Sequence, residues 1–187
     1  PYGPADGIDG LQKNIELIAR TREEVGPKVE LMLDCWMAFD VEYAVRLAEE
    51  LRPYKLKWME EMLRSEDFDA HAQLRQRIPW QTLATGEHWY GTVPFQHAAI
   101  FQPDIHWVGG LTALTKICAI AEAAGISVIP HGGGITAYGQ HACYALPAIP
   151  WAECFVATPP GVPPEEAVRI PGVATPKNGR MVPADRP

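Results

Sequence analysis

The stretch VELMLDCW, residues 29–36, decides how the rest of the chain can fold. It is a short apolar run, typical of a buried strand, that ends on a single acid, Asp34. A strand buried on both faces is nearly all apolar, so a carboxylate at its end indicates a role other than packing. Five later segments repeat this design, each a short apolar run that stops at a polar residue. We therefore predict that the six polar strand ends meet in one site.

Helix-like and strand-like segments alternate along the whole chain. Gly26 and Pro27 end the first helix, Ser65 and Glu66 suit the start of the third, and Asp40 is a good N-cap for the second. Strict alternation of this kind predicts a parallel sheet. The predicted helices cover residues 11–25, 40–51, 65–78, 93–98, 111–124 and 136–146, and the predicted strands cover 29–33, 56–59, 82–85, 99–102, 126–129 and 152–156.

Two parallel architectures fit this alternation. An open doubly wound sheet usually binds its ligand at one switch point, and no GxGxxG follows the first strand here. The spacing of the strand ends is close to the ~30 residues per unit of an eight-unit barrel of about 250 residues, which carries catalytic groups at the strand ends. We predict an α/β fold, a partial (β/α)8 barrel of the TIM type over residues 1–157, followed by a Pro/Gly-rich loop or tail over 158–187.

Composition narrows the possible partners. With 187 residues and 47% hydrophobic content the chain can bury a core, and its net charge of −7 is scattered, without a basic stripe for nucleic acid. No apolar run approaches the ~18 residues of a membrane span, and the N-terminus lacks a signal-peptide pattern, so we expect a cytoplasmic protein without a membrane partner. The four cysteines show no CxxC spacing, which indicates neither a disulfide framework nor a zinc site.

Three acids, Asp34, Glu60 and Glu87, follow three successive predicted strands. Converging carboxylates repel one another, and a divalent cation would relieve the repulsion. Hard oxygen ligands favour Mg²⁺ or Mn²⁺ over zinc. Glu61 competes with Glu60 for the ligand role, and spacing alone does not choose between them. The alternative is that each acid is a solvated loop residue or a helix cap.

Asp104 and His131 end the next two strands. A carboxylate beside a histidine can fix the imidazole tautomer and raise its basicity, so His131 is a candidate general base. Glu153, in the last predicted strand, could hydrogen-bond a developing oxyanion if it carried or shared a proton. Each of these residues could instead be an ordinary loop or rim residue.

Other polar and aromatic residues lie just beyond the strand ends. His88 follows Glu87 directly and could contact substrate. Gly132 to Gly134 precede no GK[ST] and are better explained by backbone room around His131. His71, His97 and His141 lie on predicted helices, where surface or packing roles are expected, and the pattern assigns no role to His106. The aromatic residues Trp36, Trp89, Tyr90 and Trp107 could line a pocket or cap the core.

Carboxylate-bound metal opposite a histidine base suits abstraction of the proton α to a carboxylate. The motifs LMLDCW, LKWMEE, ATGEH, QPDIHWVGGLT and IPHGGG occur in this order between about residues 10 and 156. Together they resemble the C-terminal barrel of the enolase superfamily, mandelate racemase subgroup. The resemblance implies that the predicted strands are strands 3 to 8 of the barrel and that the first two strands and the N-terminal capping domain have no counterpart here.

The resemblance also implies functional roles. Asp34, Glu60 and Glu87 are expected to bind Mg²⁺, with Glu60 preferred over Glu61 because the first acid of the pair is the usual ligand. His131 with Asp104 is expected to act as base and, as in dehydratases of this family, to return its proton to the departing 3-hydroxyl. The expected reaction converts a small sugar acid, such as L-rhamnonate, into a 2-keto-3-deoxy acid, and the full-length form is expected to be a homo-oligomer.

Two alternatives to this reaction stay open. A racemase or epimerase of the same superfamily would need a second base, which the second barrel strand could supply. A non-catalytic fragment would expose a barrel edge and need a partner chain. The family often carries serines where this chain has Gly133 and Gly134.

Overall fold

The structure, a computed structural model, describes residues 1–92, 99–155, 158–163, 166 and 170–182. Within them, helices and short strands alternate as the sequence predicts. None of the described helices combines the length and apolar character that a bilayer crossing requires. The helices are α1 (Gly7–Val25), α2 (Val41–Leu51), α3 (Phe68–Arg77), α4 (Gly110–Ala123) and α5 (Ala137–Ala145), and the strands are β1 (Leu33–Asp34), β2 (Met59–Glu60), β3 (Leu83–Thr85), β4 (Ile100–Phe101) and β5 (Ser127–Val128).

The described residues form two compact units. The first comprises Pro1–Gly86 together with Ala99 and Ile100, and the second begins at Glu87 and continues from Phe101 onward. Of the residues predicted to form the site, Asp34 and Glu60 belong to the first unit. Glu87, His88, Asp104, His131 and Glu153 belong to the second.

Strands β1, β2 and β3 lie side by side in the first unit, and each neighbouring pair is parallel. Asp34 of β1 is the Cα partner of Glu60 in β2, and Glu60 is the partner of Ala84 in β3. The ladder continues past the strand ends, because the Cys35 N–H donates to the Glu60 carbonyl at 2.9 Å. Partners on adjacent strands project to the same face, so the side chains of Asp34 and Glu60 leave the sheet together.

The helices of the first unit cover the sheet with regularly spaced apolar faces. Helix α2 starts after Asp40, whose carboxylate accepts the Tyr43 N–H at 2.8 Å, as the N-cap pattern predicts. Helix α1 ends at Gly26, where φ is 73°. The buried positions follow helical spacing: Leu11, Asn14 and Ile18 in α1, and Ala44, Leu47, Ala48 and Leu51 in α2.

The second unit is built around Phe101 of β4, strand β5 and the helices α4 and α5. The Ile129 N–H donates to the Phe101 carbonyl at 2.8 Å, which joins the ends of the two strands. Helix α4 buries Leu114, Ile117, Cys118 and Ala121. Helix α5 starts after Thr136, whose hydroxyl oxygen accepts the Gly139 N–H at 3.2 Å.

Several details of the sequence prediction are wrong, and two lie outside the described residues. The first helix begins at Gly7 and not at Leu11, and of the predicted strand over 29–33 only Leu33 belongs to β1. The third helix begins at Phe68, because the Asp67 carboxylate caps it by accepting the Ala70 N–H at 3.0 Å. Residues 152–155 form no regular strand; the Glu153 carbonyl accepts the Gly134 N–H of a turn at 2.7 Å instead of joining a strand ladder. The predicted helix over 93–98 is outside the described residues, and so is position 156.

A buried glutamine joins α5 to the C-terminal segment. The Gln140 amide nitrogen donates to the carbonyls of Gly134 and Ala174, each at 2.8 Å, and its oxygen accepts the Ala174 N–H at 2.8 Å. Because Gln140 is only 3% exposed, water does not compete effectively for these bonds. The described part of this segment is therefore fastened to the second unit. The boundary at residue 157 stays a prediction.

We predict that Gln140→Ala detaches the segment around Ala174. The change leaves one buried and two half-buried backbone groups without their partner and should lower the free energy of unfolding by about 1–3 kcal/mol. Urea unfolding measures the loss, and amide hydrogen exchange at Ala174 should become faster. Gln73→Ala, an exposed change within α3, is the matched control and should stay within about 0.5 kcal/mol of the original protein. Unchanged exchange at Ala174 in the Gln140 variant would contradict the prediction.

Candidate active site

In the first unit, two carboxylates lie side by side at the ends of β1 and β2. Asp34 is exposed and accepts the Trp36 N–H at 2.9 Å, while Glu60 is half-buried and accepts the indole N–H of Trp58 at 3.0 Å. Burial raises the pKa of the Cys35 thiol well above its usual value, and the negative charges of Asp34 and Glu60 raise it further. Within the described part of the chain, Asp34 forms no ion pair with Lys or Arg. A pair of like-charged hard oxygen donors fits a divalent cation.

Glu61 occupies a different environment from Glu60. Its backbone has a left-handed φ of 43°, and its side chain is 1% exposed. The Glu61 carbonyl accepts the Met37 N–H, so the residue belongs to the turn that ends both strands. Spacing does not distinguish the two glutamates, whereas the register makes Glu60 the partner of Asp34.

In the second unit, His131 lies between two carboxylates. Its Nδ1 is 2.8 Å from Asp104 Oδ2, and its Nε2 is 3.3 Å from Glu87 Oε1. Burial alone would lower the pKa of His131, but the hydrogen bond to Asp104 and the negative charges of Glu87, Glu153 and Asp104 outweigh it, so the pKa is raised. The structure thus places in contact three residues that the sequence predicts for the site.

Asp104 is held by more than His131. Burial would raise the pKa of its carboxyl, yet hydrogen bonds from His131 and from the backbone and ring of His106 lower it. The carboxylate is therefore anionic and can keep a hydrogen on His131 Nδ1. The opposite nitrogen, Nε2, is then the one that can take up a proton.

Glu153 contacts the glycine run that follows His131. Its Oε2 accepts the Gly132 N–H at 2.7 Å, and its backbone carbonyl accepts the Gly134 N–H at 2.7 Å. A Cβ added at Gly134 would lie 2.5 Å from that carbonyl oxygen and 2.7 Å from Met181 Cε. A serine at Gly134 therefore has no space in this arrangement. That the glycines provide backbone room around His131 stays a prediction.

His88 lies at the edge of the same group of residues. Its Nε2 is 3.9 Å from Glu87 Oε1, and its ring meets the edge of Trp107 with centroids 4.8 Å apart. Tyr90 stacks on the Trp107 ring, with centroids 6.3 Å apart and an interplanar angle of 5°. Of the predicted aromatic residues, Trp89 is buried, whereas Trp36, Tyr90 and Trp107 are exposed. The substrate-binding role of His88 stays a prediction.

Two residues without a role in the sequence pattern, His106 and Tyr138, are connected in the structure to the pair of Asp104 and His131. His106 Nδ1 is 3.1 Å from Asp104 Oδ1, and its Nε2 is hydrogen-bonded to the Tyr138 hydroxyl. The only sequence signal was the two-residue step from Asp104 to His106, which allows a side chain to bond back to a neighbouring backbone N–H. Nothing in the sequence indicates that Tyr138, 32 residues further on, meets His106.

Alternating helices and parallel strands with polar groups at the strand ends define an α/β domain of the barrel class. The chain belongs to the enolase C-terminal domain-like family, whose model matches residues 4–187. This match confirms the predicted family and the predicted fold, a part of an enolase-type barrel.

One curated relative and three solved structures, two of them of the Gibberella zeae enzyme, show how far the similarity extends. An L-rhamnonate dehydratase of Saccharopolyspora erythraea is 46% identical over 144 residues, which are 73% of this chain and 37% of that protein. The L-rhamnonate dehydratase structure from Gibberella zeae has a TM-score of 0.80 at 36% identity and matches 85% of this chain and 42% of that one. A structure of the Gibberella zeae enzyme complexed with Mg has a TM-score of 0.77 at 36% identity, covering 81% of this chain and 38% of that one.

The third solved structure is a racemase from Streptomyces coelicolor A3(2) with bound magnesium. Its TM-score is 0.72 at 28% identity, and the match covers 77% of this chain and 41% of that chain. The chain therefore spans about two fifths of the length of the relatives it matches.

We predict that Gly134→Ser destabilises the protein by about 1–3 kcal/mol, because the new side chain must displace the Glu153 carbonyl. Denaturant unfolding measures this change. The control is Gly125→Asn, which adds a larger side chain in open space at a φ of 66°. Asparagine tolerates that conformation, so this control should cost only about 0.5 kcal/mol. A Gly134→Ser protein as stable as the original would show that the Glu153 backbone yields freely.

Proposed function

We propose that the protein catalyses the Mg²⁺-dependent dehydration of a six-carbon sugar acid, such as L-rhamnonate, to a 2-keto-3-deoxy acid. The observation that carries the proposal is the His131–Asp104 hydrogen bond of 2.8 Å, which leaves Nε2 of His131 directed toward the Glu87 carboxylate. Relatives of 46% and 36% identity are L-rhamnonate dehydratases. The family and the geometry of the second unit therefore support the same chemistry.

Asp34, Glu60 and Glu87 are the residues that we propose to hold the cation. The adjacent carboxylates of Asp34 and Glu60 and the half-buried carboxylate of Glu87 have the donor chemistry that Mg²⁺ prefers. The assignment of all three to one ion rests on their order in the sequence and on the magnesium in the related Gibberella zeae structure. When bound, the cation supplies positive charge that stabilises the ionised substrate carboxylate as negative charge develops on it.

His131 performs the proton transfers in this proposal. Asp104 keeps the hydrogen of the ring on Nδ1, so Nε2 removes the proton from C2 of the sugar acid. The same nitrogen then returns that proton to the hydroxyl leaving C3, and water departs. The resulting enol becomes the 2-keto-3-deoxy acid by tautomerisation. Glu153 is positioned by Gly132, and we assign it to hydrogen bonding of the developing oxyanion.

His88 is proposed to contact the substrate. It is half-buried, adjacent to Glu87 and supported by the edge of Trp107. An imidazole in this position could bond a hydroxyl of the sugar acid. This contact would select among sugar acids without taking part in the proton transfer.

A second candidate reaction is racemisation or epimerisation of a 2-hydroxy acid. It is favoured by the structural similarity to the Streptomyces coelicolor racemase. Both reactions start with loss of the C2 proton, so the fate of that position separates them. In heavy water, deuterium at C2 without loss of water indicates epimerisation, and formation of the keto-deoxy acid indicates dehydration.

We predict that His131→Asn lowers the dehydration rate of L-rhamnonate by about 10²- to 10⁴-fold, because the amide cannot accept the C2 proton. Mg²⁺ binding, measured by calorimetry, should persist, since His131 is not among the proposed ligands. Removal of the metal by a chelator should stop turnover, and added Mg²⁺ should restore it. His141→Asn, on the exposed face of α5, is the matched control and should keep full activity. Full activity of His131→Asn would refute the assigned base.

The two adjacent glutamates give a separate prediction. Glu60→Gln should weaken Mg²⁺ binding by at least the roughly 10- to 100-fold that loss of a ligand's supporting bond costs. Glu61→Gln should weaken it less, because Glu60, not Glu61, is the register partner of Asp34. Calorimetric titration of both variants with Mg²⁺ makes the comparison. A larger loss in the Glu61 variant would reverse the assignment.

A further inference from the structure

We propose that His106 and Tyr138 are positioning residues that hold the Asp104 carboxylate and, through it, orient His131. The inference rests on the proposed function, because it concerns the same base. It extends that function to two residues on a different loop and a different helix of the second unit. All the contacts that support it lie within this unit.

The two oxygens of Asp104 have separate partners. Oδ2 faces His131 Nδ1 at 2.8 Å. Oδ1 accepts the His106 N–H at 2.6 Å and the Trp107 N–H at 3.3 Å, and it faces the His106 ring nitrogen Nδ1 at 3.1 Å. The turn formed by residues 104–108 therefore fixes one edge of the carboxylate and leaves the other edge for the base.

The partners of His106 define where its ring hydrogen lies. Nδ1 of His106 faces the Asp104 carboxylate, which can only accept, whereas Nε2 faces a hydroxyl, which can donate. In a neutral His106 ring, Nδ1 is therefore the donor and Nε2 the acceptor. The Tyr138 hydroxyl then donates to Nε2. The hydrogen bonds form a chain with one direction: Tyr138 donates to His106, and both His106 and His131 donate to Asp104.

Tyr138 ties this series of hydrogen bonds to a helix. It lies in the first turn of α5, directly after the capped start of the helix at Thr136. Its ring also meets the edge of the His106 ring, with centroids 5.4 Å apart at 74°. A group on a capped helix is held more firmly than one on a loop, so α5 can hold the His106 ring against Asp104.

The same turn also supports the loop that carries His88. Trp107 contacts the rings of His88 and Tyr90, and the Gly91 N–H donates to the Val108 carbonyl at 3.3 Å.

Because His106 and His131 both contact the Asp104 carboxylate, a change at His106 can alter the position of the His131 ring. Small misplacements of a reacting group are costly, so a change at His106 should lower kcat more than it raises KM.

A direct substrate contact is the competing role for these residues. The His106 side chain is 51% exposed and Tyr138 is 45% exposed, so both could be reached by a ligand. Loss of a substrate contact would raise KM. The division between kcat and KM therefore separates positioning from binding.

The test compares His106 variants in the complete protein with Mg²⁺ and L-rhamnonate. His106→Ala should lower kcat by about 10-fold or more and change KM by less than about 2-fold. His106→Asn should retain most of kcat, because its amide N–H can occupy the place of the Nδ1 hydrogen. His106→Gln extends its amide further and should not. His141→Ala, an exposed histidine of α5, is the control and should match the original protein.

Tyr138 is tested by removing only its hydroxyl. Tyr138→Phe should lower kcat by a smaller factor than His106→Ala. In the double variant, kcat should equal that of His106→Ala alone, because the tyrosine acts through the histidine. Additive losses, or a rise in KM with kcat unchanged, would overturn the proposal in favour of a binding role.

A spectroscopic readout keeps the test independent of turnover. At one fixed pH, ¹⁵N ring spectra of His131 should show the hydrogen on Nδ1, with mixed tautomers in His106→Ala and recovery in His106→Asn. If turnover of L-rhamnonate is absent but these spectra behave as described, the proposed reaction fails and the positioning role stands. If His106→Ala leaves both the His131 spectra and kcat unchanged, the positioning role is wrong.

Discussion

Parallel pairing is the constraint on which the candidate site of the first unit depends. In parallel strands, every carboxyl end lies at the same edge of the sheet, so the residue that ends one strand is a neighbour of the residue that ends the next. The register of Asp34 with Glu60 is the direct result. Two carboxylates in this relation are unfavourable by themselves. A bound cation or another ligand can offset the repulsion between two such carboxylates. The sheet register is therefore the strongest structural support for a metal role.

In the second unit, the contacts fix the orientation of one imidazole ring, that of His131. His131 lies on a turn rich in glycine, and a turn alone positions a ring poorly. Asp104 fixes the ring through Nδ1, and the carboxylate is itself fixed by the backbone of the turn that follows it. Glu153 binds the other side of the glycine run. The His131 ring, the proposed base, is thus oriented by contacts from three segments, although none of them is a long regular strand.

The sequence predicts the alternation of elements and the polar strand ends because both depend on local patterns, namely hydrophobic periodicity and capping residues. It places the third helix too early, because Ser65 and Asp67 are both acceptable caps and only the Asp67 bond to Ala70 decides between them. It predicts a strand over 152–156 from composition, whereas the Glu153 carbonyl bonds to a turn. His106 and Tyr138 meet through tertiary packing, which no local pattern encodes. Glu60 and Glu61 are distinguished by the sheet register, by burial and by the left-handed backbone of Glu61, none of which a local pattern shows.

The glycines after His131 show how packing in this chain bears on substrate choice. At Gly134 the space that a serine side chain would need is filled by the Glu153 carbonyl and Met181, and Gln140 fastens the same turn to Ala174. The hydroxyl that a serine would supply is therefore absent at position 134, and the surrounding backbone is held in place. In the proposed function, polar contacts to the sugar acid then have to come from other residues of the unit. His88, half-buried beside Glu87, is the side chain whose position suits that role.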